Sequence, residues 1–298
     1  MPSFITHDYF ATRGLIHAPQ PVAAICKKYA AAYAWGAQAF DPLFYHHIPY
    51  HSNLRIYAME LHGMAPFSCF ESLVRRAKNG VSRAWLFGLC THYILDMQLS
   101  PFLAAMAKQR LAPHYPDFPI ERLYGLAATD IDYAITARYI TENPIHLRAY
   151  QLLRIQYRVL HTPAQMLSYA CLAAGHKVRP TACAAAMRDM RRVYEALSQG
   201  DDTARDALLQ AERSRGQPGE LSIFKMRSLP LPEDCANRSG KPWQDTAHNT
   251  DDIFMLLENA YAALPVVFDA VWECCTNDTP LPPELFHREF TNSMFSTP

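Results

Sequence analysis

Apolar residues recur along most of the chain with the three-to-four-residue spacing of amphipathic helices, and the alternating pattern of a strand is nearly absent. The segment 66–80 places its large apolar side chains on one stripe and ends at Asn79-Gly80, a pair typical of a helix C-terminus. This pattern predicts an all-α fold built as a helical bundle.

Further helices are predicted at 21–38, 82–111, 122–141, 145–160, 163–173, 180–198, 203–213 and 252–274. Pro101 is expected to break or kink the long helix 82–111, because proline removes a backbone donor. The segment 216–250 is poor in large apolar residues and is predicted to be a long loop or insertion. Because helix 252–274 is strongly apolar, we expect it to return to the same core, so that residues 1–298 form a single domain.

Charge excludes one class of partner. The chain carries 28 basic and 28 acidic residues, and charged residues make up 19 % of it. A balanced chain has no electrostatic footprint for a nucleic-acid backbone, so we expect no nucleic-acid partner.

The sequence also predicts a cytoplasmic location. The N-terminal stretch MPSFITHDYFATRGLIHAP lacks the basic and uninterrupted apolar parts of a secretory signal. No window reaches the roughly eighteen uninterrupted apolar residues of a membrane span, so no transmembrane segment is expected. The eight cysteines are irregularly spaced and form no CxxC motif, which is typical of reduced core thiols.

The strongest local chemical signal is the pair His92 and Asp96 in GLCTHYILD. A four-residue step on a helix points both side chains to one face, where they can bind one cation. Both lie within an apolar run, and burial of an unpartnered carboxylate costs several kcal/mol. The alternative is a plain His–Asp hydrogen bond inside a helical bundle.

Three more residues become informative only through their order along the chain. His7 lies in THDYF, Asp41 follows an alanine-rich helix in GAQAFDP, and His62 precedes glycine in ELHG. Each alone is more often a cap, a surface group or a satisfied core residue. The segment 41–53, DPLFYHHIPYHSN, is aromatic and rich in histidine, and it either contacts a phosphate or head group or simply covers helix ends.

This ordered set resembles the zinc-dependent phospholipase C family, in particular its small cytoplasmic branch, and more distantly the related zinc-dependent nucleases. The resemblance covers about residues 1–102. It implies a helical fold around a cleft that holds up to three zinc ions. The residues that match the ligand set of one zinc are Asp41, His62, His92 and Asp96.

A second zinc in the family uses the early histidine, the helix aspartate and the N-terminal amine, so the resemblance implies His7, Asp96 and, after removal of Met1, the amine of Pro2. The sequence departs from the family at the positions expected to hold the remaining zinc. These are Ser100, Tyr124 and Ala128, none of which is a good zinc ligand. The residues left open as substitutes are His114, Asp130 and Asp132. The resemblance therefore predicts a reduced site with one or two zinc ions.

The implied activity is zinc-dependent hydrolysis of a phosphodiester bond, with a phosphodiester or phospholipid head group as substrate. Asp41 is expected to orient or deprotonate the attacking water, and His7, His62, His92 and Asp96 are expected to hold metal. The alternative is a catalytically degenerate metal-binding protein that binds a ligand or partner. A helical bundle without metal is the third possibility.

Overall fold

The computed structural model describes residues 4–48, 50–141, 143–243 and 249–290. These residues form eleven α-helices and no strand, which confirms the all-α prediction. The helices are α1 (Phe4–Gly14), α2 (Gln20–Lys28), α3 (Ala30–Ala37), α4 (Asn53–Gly63), α5 (Pro66–Val74), α6 (Gly80–Ala105), α7 (Ile120–Tyr139), α8 (Tyr157–Ala173), α9 (Pro180–Leu197), α10 (Asp202–Ser214) and α11 (Ile253–Asn277).

The chain divides into two compact units. The first unit comprises Met1–Thr6, Gln98–Tyr150 and Tyr194–Asn259, and the second comprises His7–Met97, Gln151–Val193 and Ala260–Pro298. A single domain over residues 1–298 stays a prediction.

In the first unit, α7 packs against a π-helical turn at Met106–Leu111 and a 3-10 turn at Ser222–Phe224. The second of these turns belongs to the segment 216–243, which has no α-helix. The fully buried Glu212 carboxylate accepts hydrogen bonds from the backbone N–H groups of Gly219 (3.0 Å) and Leu221 (2.7 Å). Buried polar anchors of this kind hold irregular backbone in place where apolar side chains are few. Residues 244–248 of the predicted loop lie outside the described residues.

The second unit is held together by an unusually close approach of two helices. A Cβ atom added to Gly36 of α3 would lie 2.0 Å from the carbonyl oxygen of Trp85 in α6. A Cβ atom added to Gly88 of α6 would lie 2.2 Å from the carbonyl oxygen of Tyr33 in α3. The two backbones therefore touch, and only glycine fits at either position.

Several predicted helix boundaries were wrong. The predicted helix 145–160 is replaced by 3-10 turns at Pro144–His146 and Ala149–Leu152, and α8 begins at Tyr157 and continues through Pro163. Likewise α6 continues through Pro101 to Ala105 before the π-helical turn. Proline removes only one hydrogen bond and costs about 3 kcal/mol, which burial of the surrounding apolar face can offset.

Helix α11 is long and apolar enough to cross a membrane by length and composition. Its most apolar eighteen-residue window has a mean hydropathy of 1.4, and half of that window is buried within the protein. Core helices of soluble proteins meet the same criterion, so this is weak support for a membrane span. The expected lack of a transmembrane segment stays a prediction.

The substitution Gly88→Ala tests the contact between α3 and α6. We expect it to lower the free energy of unfolding by about 2–3 kcal/mol, because the added methyl group meets backbone that cannot move aside. Gly63→Ala is the control, since a Cβ atom there meets nothing within 4 Å. Urea denaturation of both variants measures the difference, and equal losses of stability would contradict a backbone contact.

Candidate metal centre

All five residues predicted as metal ligands lie together in the second unit. His7 is on α1, Asp41 begins a 3-10 turn at Asp41–Tyr45, and His62 is the second-last residue of α4. His92 and Asp96 lie on one face of α6. The five residues are between 0 % and 4 % exposed, so water does not solvate their polar atoms.

The nitrogen and oxygen atoms of this cluster are separated by distances that suit a tetrahedral metal ion. His92 Nε2 lies 3.2 Å from Asp96 Oδ2, and His62 Nε2 lies 3.3 Å from Asp41 Oδ1. His7 Nε2 lies 3.4 Å from Asp96 Oδ1, and the Nε2 atoms of His62 and His92 are also 3.4 Å apart. Zinc–ligand bonds of about 2.0–2.1 Å in a tetrahedron place the ligand atoms about 3.3–3.4 Å apart. These four pairs have about that spacing, whereas His7 Nε2 to Asp41 Oδ2 and His62 Nε2 to Asp96 Oδ2 are wider, at 4.0 Å each.

A residue with a left-handed backbone conformation, Ala39, directs Asp41 into the cluster. Ala39 is buried and has a φ of 41°, which costs an alanine on the order of 1–2 kcal/mol. Its N–H donates to the carbonyl of Gly36 (2.9 Å), and the N–H of Asp41 donates to Gln38 (2.9 Å). This tight turn ends α3 and starts the 3-10 turn that carries Asp41.

Backbone carbonyl groups orient two of the imidazoles. His62 Nδ1 lies 2.7 Å from the carbonyl oxygen of Ala58, and His92 Nδ1 lies 3.0 Å from that of Ala37. A carbonyl can only accept, so each Nδ1 carries the proton and each Nε2 faces the cluster. Metal-binding histidines are commonly held this way, by a hydrogen bond from the second ring nitrogen. The close approach of α3 to α6 is what brings Ala37 to His92.

Several buried polar atoms in the cluster have no well-aligned hydrogen bond among the described residues. They are both carboxylate oxygens of Asp96, Oδ1 of Asp41 and both ring nitrogens of His7, and the groups nearest to Asp96 are the imidazoles of His92 (3.2 Å) and His7 (3.4 Å). The His7 ring stacks on the His92 ring, with centroids 4.1 Å apart and planes at 13°. Burial of unsatisfied carboxylates costs several kcal/mol, and a cation between them removes that cost. The donor set therefore fits a divalent metal ion.

The same neighbours shift the pKa values of the cluster. Burial acts to raise the pKa of Asp96, yet the charge of His92 and the approach of His7 hold it well below its usual range. Burial and the charge of His92 lower the pKa of His7. Burial opposes protonation of His92 too, but the Asp96 carboxylate outweighs it and raises the pKa of His92. A metal ion therefore competes with a proton on His92.

The ligand atoms form two overlapping groups. One group contains His7, His92 and Asp96, the other contains Asp41, His62 and His92, and the atoms of each group lie within 4.8 Å of one another. Asp96 turns one oxygen toward His7 and the other toward His92. These buried groups can hold a metal ion, and imidazole with carboxylate suits several divalent transition metals.

The positions where the sequence departs from the family pattern lie in the first unit. The predicted substitutes Asp130 and Asp132 are already used as hydrogen-bond acceptors there. Asp130 accepts from the N–H of Leu231 (2.7 Å), and Asp132 accepts from the N–H (2.8 Å) and hydroxyl (2.6 Å) of Thr6. Neither carboxylate belongs to a potential metal group among the described residues. Ser100, Tyr124 and Ala128 supply no replacement, His114 is exposed, and Pro2 lies outside the described residues.

An aromatic cover over the cluster was missed from the sequence. Residues 281–290, here called the C-terminal strap, include the fully buried Phe290. Its ring centroid lies 6.0 Å from that of His92, 6.1 Å from that of His62 and 5.2 Å from that of Phe40. The four-residue step from Phe286 to Phe290 is the only sequence signal for it, and such a step does not reveal what it covers.

Asp96→Asn tests whether the cluster holds metal. We expect zinc to stabilise the unsubstituted protein by about 3 kcal/mol at a hundred times its Kd, and to stabilise the Asp96→Asn variant little, because the buried charge that faces the ion is gone. The matched control is Asp130→Asn, which changes a buried carboxylate outside the cluster. Thermal unfolding with and without zinc measures the shift. Equal zinc-dependent shifts in all three proteins would rule out this site.

Phe290→Ala tests the aromatic cover. If the ring limits access to the cluster, its removal raises the rate at which a chelator extracts the metal by about tenfold, equivalent to about 1.4 kcal/mol less for local opening. Phe286→Ala is the control, because Phe286 is also fully buried in the strap and shares the neighbours Phe70 and Tyr93 with Phe290, whereas only Phe290 contacts the rings of His62 and His92 among the described residues. Stopped-flow chelation measures the extraction rate in both variants. Identical rates would show that Phe290 contributes only to packing and does not limit access to the cluster.

Comparison with protein-family models, curated proteins and solved structures gives no match to this chain. The resemblance to zinc-dependent phospholipase C therefore rests on the ordered motifs of its first 102 residues and stays a prediction. What stands independently of it is a buried His/Asp cluster that can hold a metal ion.

Proposed function

We propose that the chain is a zinc-dependent hydrolase of phosphodiester bonds, similar to phospholipase C, with one or two zinc ions. The observation that carries the proposal is the convergence of three imidazoles and two carboxylates, nearly excluded from water, with nitrogen–oxygen separations of 3.2–4.0 Å. When bound, zinc supplies positive charge that polarises a phosphoryl oxygen and makes hydroxide accessible near neutral pH.

Asp41 is the residue that acts on the attacking water. Its side chain is buried but has the largest exposed fraction in the cluster, 6 % against 2 % for His62 and 0 % for Asp96, so it lies at the least buried edge of the cluster. From there its carboxylate orients a water molecule and accepts a proton as the new oxygen–phosphorus bond forms. The ester oxygen–phosphorus bond breaks, and the proton passes to the leaving oxygen.

Asp41 is also one of the metal ligands, in the group with His62 and His92, and the other four residues hold and position the metal with it. His62 and His92 are fixed by backbone carbonyls, so their Nε2 atoms need no reorganisation when the ion binds. His7 and Asp96 complete the donor set. The substrate class remains a phosphodiester or a phospholipid head group, and a cytoplasmic location remains the expectation.

A second candidate is a metal-binding protein without turnover. It is favoured by the closure of the cluster, since Phe290 lies over His62 and His92 and catalytic sites normally keep an open position. The ligands that the family uses for a third zinc are also replaced, at Ser100, Tyr124 and Ala128. Loss of an ion that stabilises transition-state charge costs several kcal/mol of barrier.

Turnover of bis(p-nitrophenyl) phosphate by the zinc-loaded protein tests the hydrolase proposal. We expect Asp41→Asn to lower kcat/KM by about 100-fold or more, because the amide cannot accept the proton from water. Asp130→Asn, which lies outside the cluster, is expected to keep full activity. Elemental analysis of each variant separates a loss of catalysis from a loss of zinc.

Two outcomes would contradict the proposal in different ways. A fully metallated protein that turns over neither chromogenic phosphodiesters nor phospholipids is a metal-binding protein, not a hydrolase. A protein that binds no divalent metal at all excludes both candidates.

A further inference from the structure

The histidine-rich segment 46–52 is not part of the metal cluster. His46 and His51 instead line a cavity of about 450 Å³ in the second unit. The remaining walls come from the start of α4, including Asn53 and Tyr57, and from the residues that lead into α9. Small-molecule sites in proteins usually have volumes of about 300–1,000 Å³, so the cavity has the size of a ligand site.

The lining of this cavity is basic. Lys177 and Arg179 both face it, together with the imidazoles of His46 and His51, and the lining contains no acidic residue. The side chains of Lys177 and Arg179 make no ion pair or hydrogen bond with any described residue. Two permanent cations in one concave surface raise the local concentration of anions.

Nearby acidic side chains are already engaged. Glu60 is paired with His176, which stacks on Tyr57 with ring centroids 3.8 Å apart. Asp189 accepts hydrogen bonds from the backbone N–H of His47 (3.1 Å) and from Arg192 (3.1 Å). These carboxylates therefore leave the charge of Lys177 and Arg179 available to a ligand.

The wall of the cavity is held in a fixed conformation. His46 Nδ1 forms a hydrogen bond with the hydroxyl of Ser52 (2.7 Å), and Arg55 donates to the carbonyl of Tyr50 (2.8 Å). His47 has a φ of 57°, a left-handed conformation that is unfavourable for a non-glycine residue. Strain of this kind persists where the surrounding contacts determine it, and a preorganised wall reduces the entropy lost when a ligand binds.

We infer that this cavity is a binding site for a phosphate-bearing molecule. A phosphate monoester carries close to two negative charges and three terminal oxygens, which matches two cations and neutral donors spread around one cavity. Arginine and lysine together are the usual protein partners of such groups. The site is separate from the metal ligands and does not depend on the proposed hydrolase activity.

Calorimetric titration of the full chain with inorganic phosphate and with glycerol 3-phosphate tests the site. The double substitution Lys177→Gln/Arg179→Gln is expected to weaken binding at least tenfold, and this effect should shrink as salt screens the charges. The matched control is Lys27→Gln/Lys28→Gln, two exposed lysines on α2 outside the cavity. Lys177→Arg is expected to retain binding, which separates loss of charge from loss of structure.

The substitution Asp41→Asn distinguishes this cavity from the metal cluster. If phosphate binds the cavity, Asp41→Asn leaves its affinity unchanged. Vesicles with and without phosphatidic acid, whose head group is a phosphate monoester, distinguish a lipid head group from a free phosphate, and binding of either that requires Lys177 and Arg179 supports the site. Two results would overturn the proposal. One is no saturable binding up to about 10 mM phosphate, because a Kd above that range is too weak for a specific site. The other is phosphate binding that is lost in Asp41→Asn but retained in the double variant.

Discussion

Two carboxylates sealed among three imidazoles are the constraint on which the second unit depends. Asp41 and Asp96 are nearly inaccessible to water, and three of their four oxygens have no well-aligned hydrogen bond among the described residues. Buried carboxylates that face only imidazoles are destabilising where those imidazoles are neutral, whereas the same groups around a divalent ion become a source of folding free energy. Metal binding and stability of this unit are therefore expected to be linked.

The backbone contact between α3 and α6 makes that arrangement possible. Gly36 and Gly88 let the two helices approach until the carbonyl of Ala37 reaches His92. The same end of α3 then turns through Ala39, whose φ is left-handed, and places Asp41 within 3.3 Å of His62. Helix α3 thus orients His92 through its backbone carbonyl and supplies Asp41 through the turn that follows it.

The buried metal centre is covered by an aromatic ring, which limits the access of a substrate. Phe290 lies over two of the imidazoles, which protects a bound ion from exchange but also restricts what reaches it. The basic cavity beside α4 is open by comparison, and its cations have no protein partner among the described residues. A hydrolase needs Phe290 to move away from the metal cluster so that substrate can enter. A ligand-binding protein can use the basic cavity without such a movement.

Helical periodicity alone determined the fold class, and the four-residue step alone placed His92 and Asp96 on one face, because both are local properties of an α-helix. The order of His7, Asp41 and His62 made them candidates, but only the tertiary structure brought both His7 and His62 within 4.0 Å of the carboxylates of Asp41 and Asp96. The local pattern gave a wrong helix at 145–160 and a wrong helix start at Pro163. At both places long-range packing outweighs intrinsic helix propensity. The strap and the basic cavity join segments more than a hundred residues apart, so no local pattern could have revealed them.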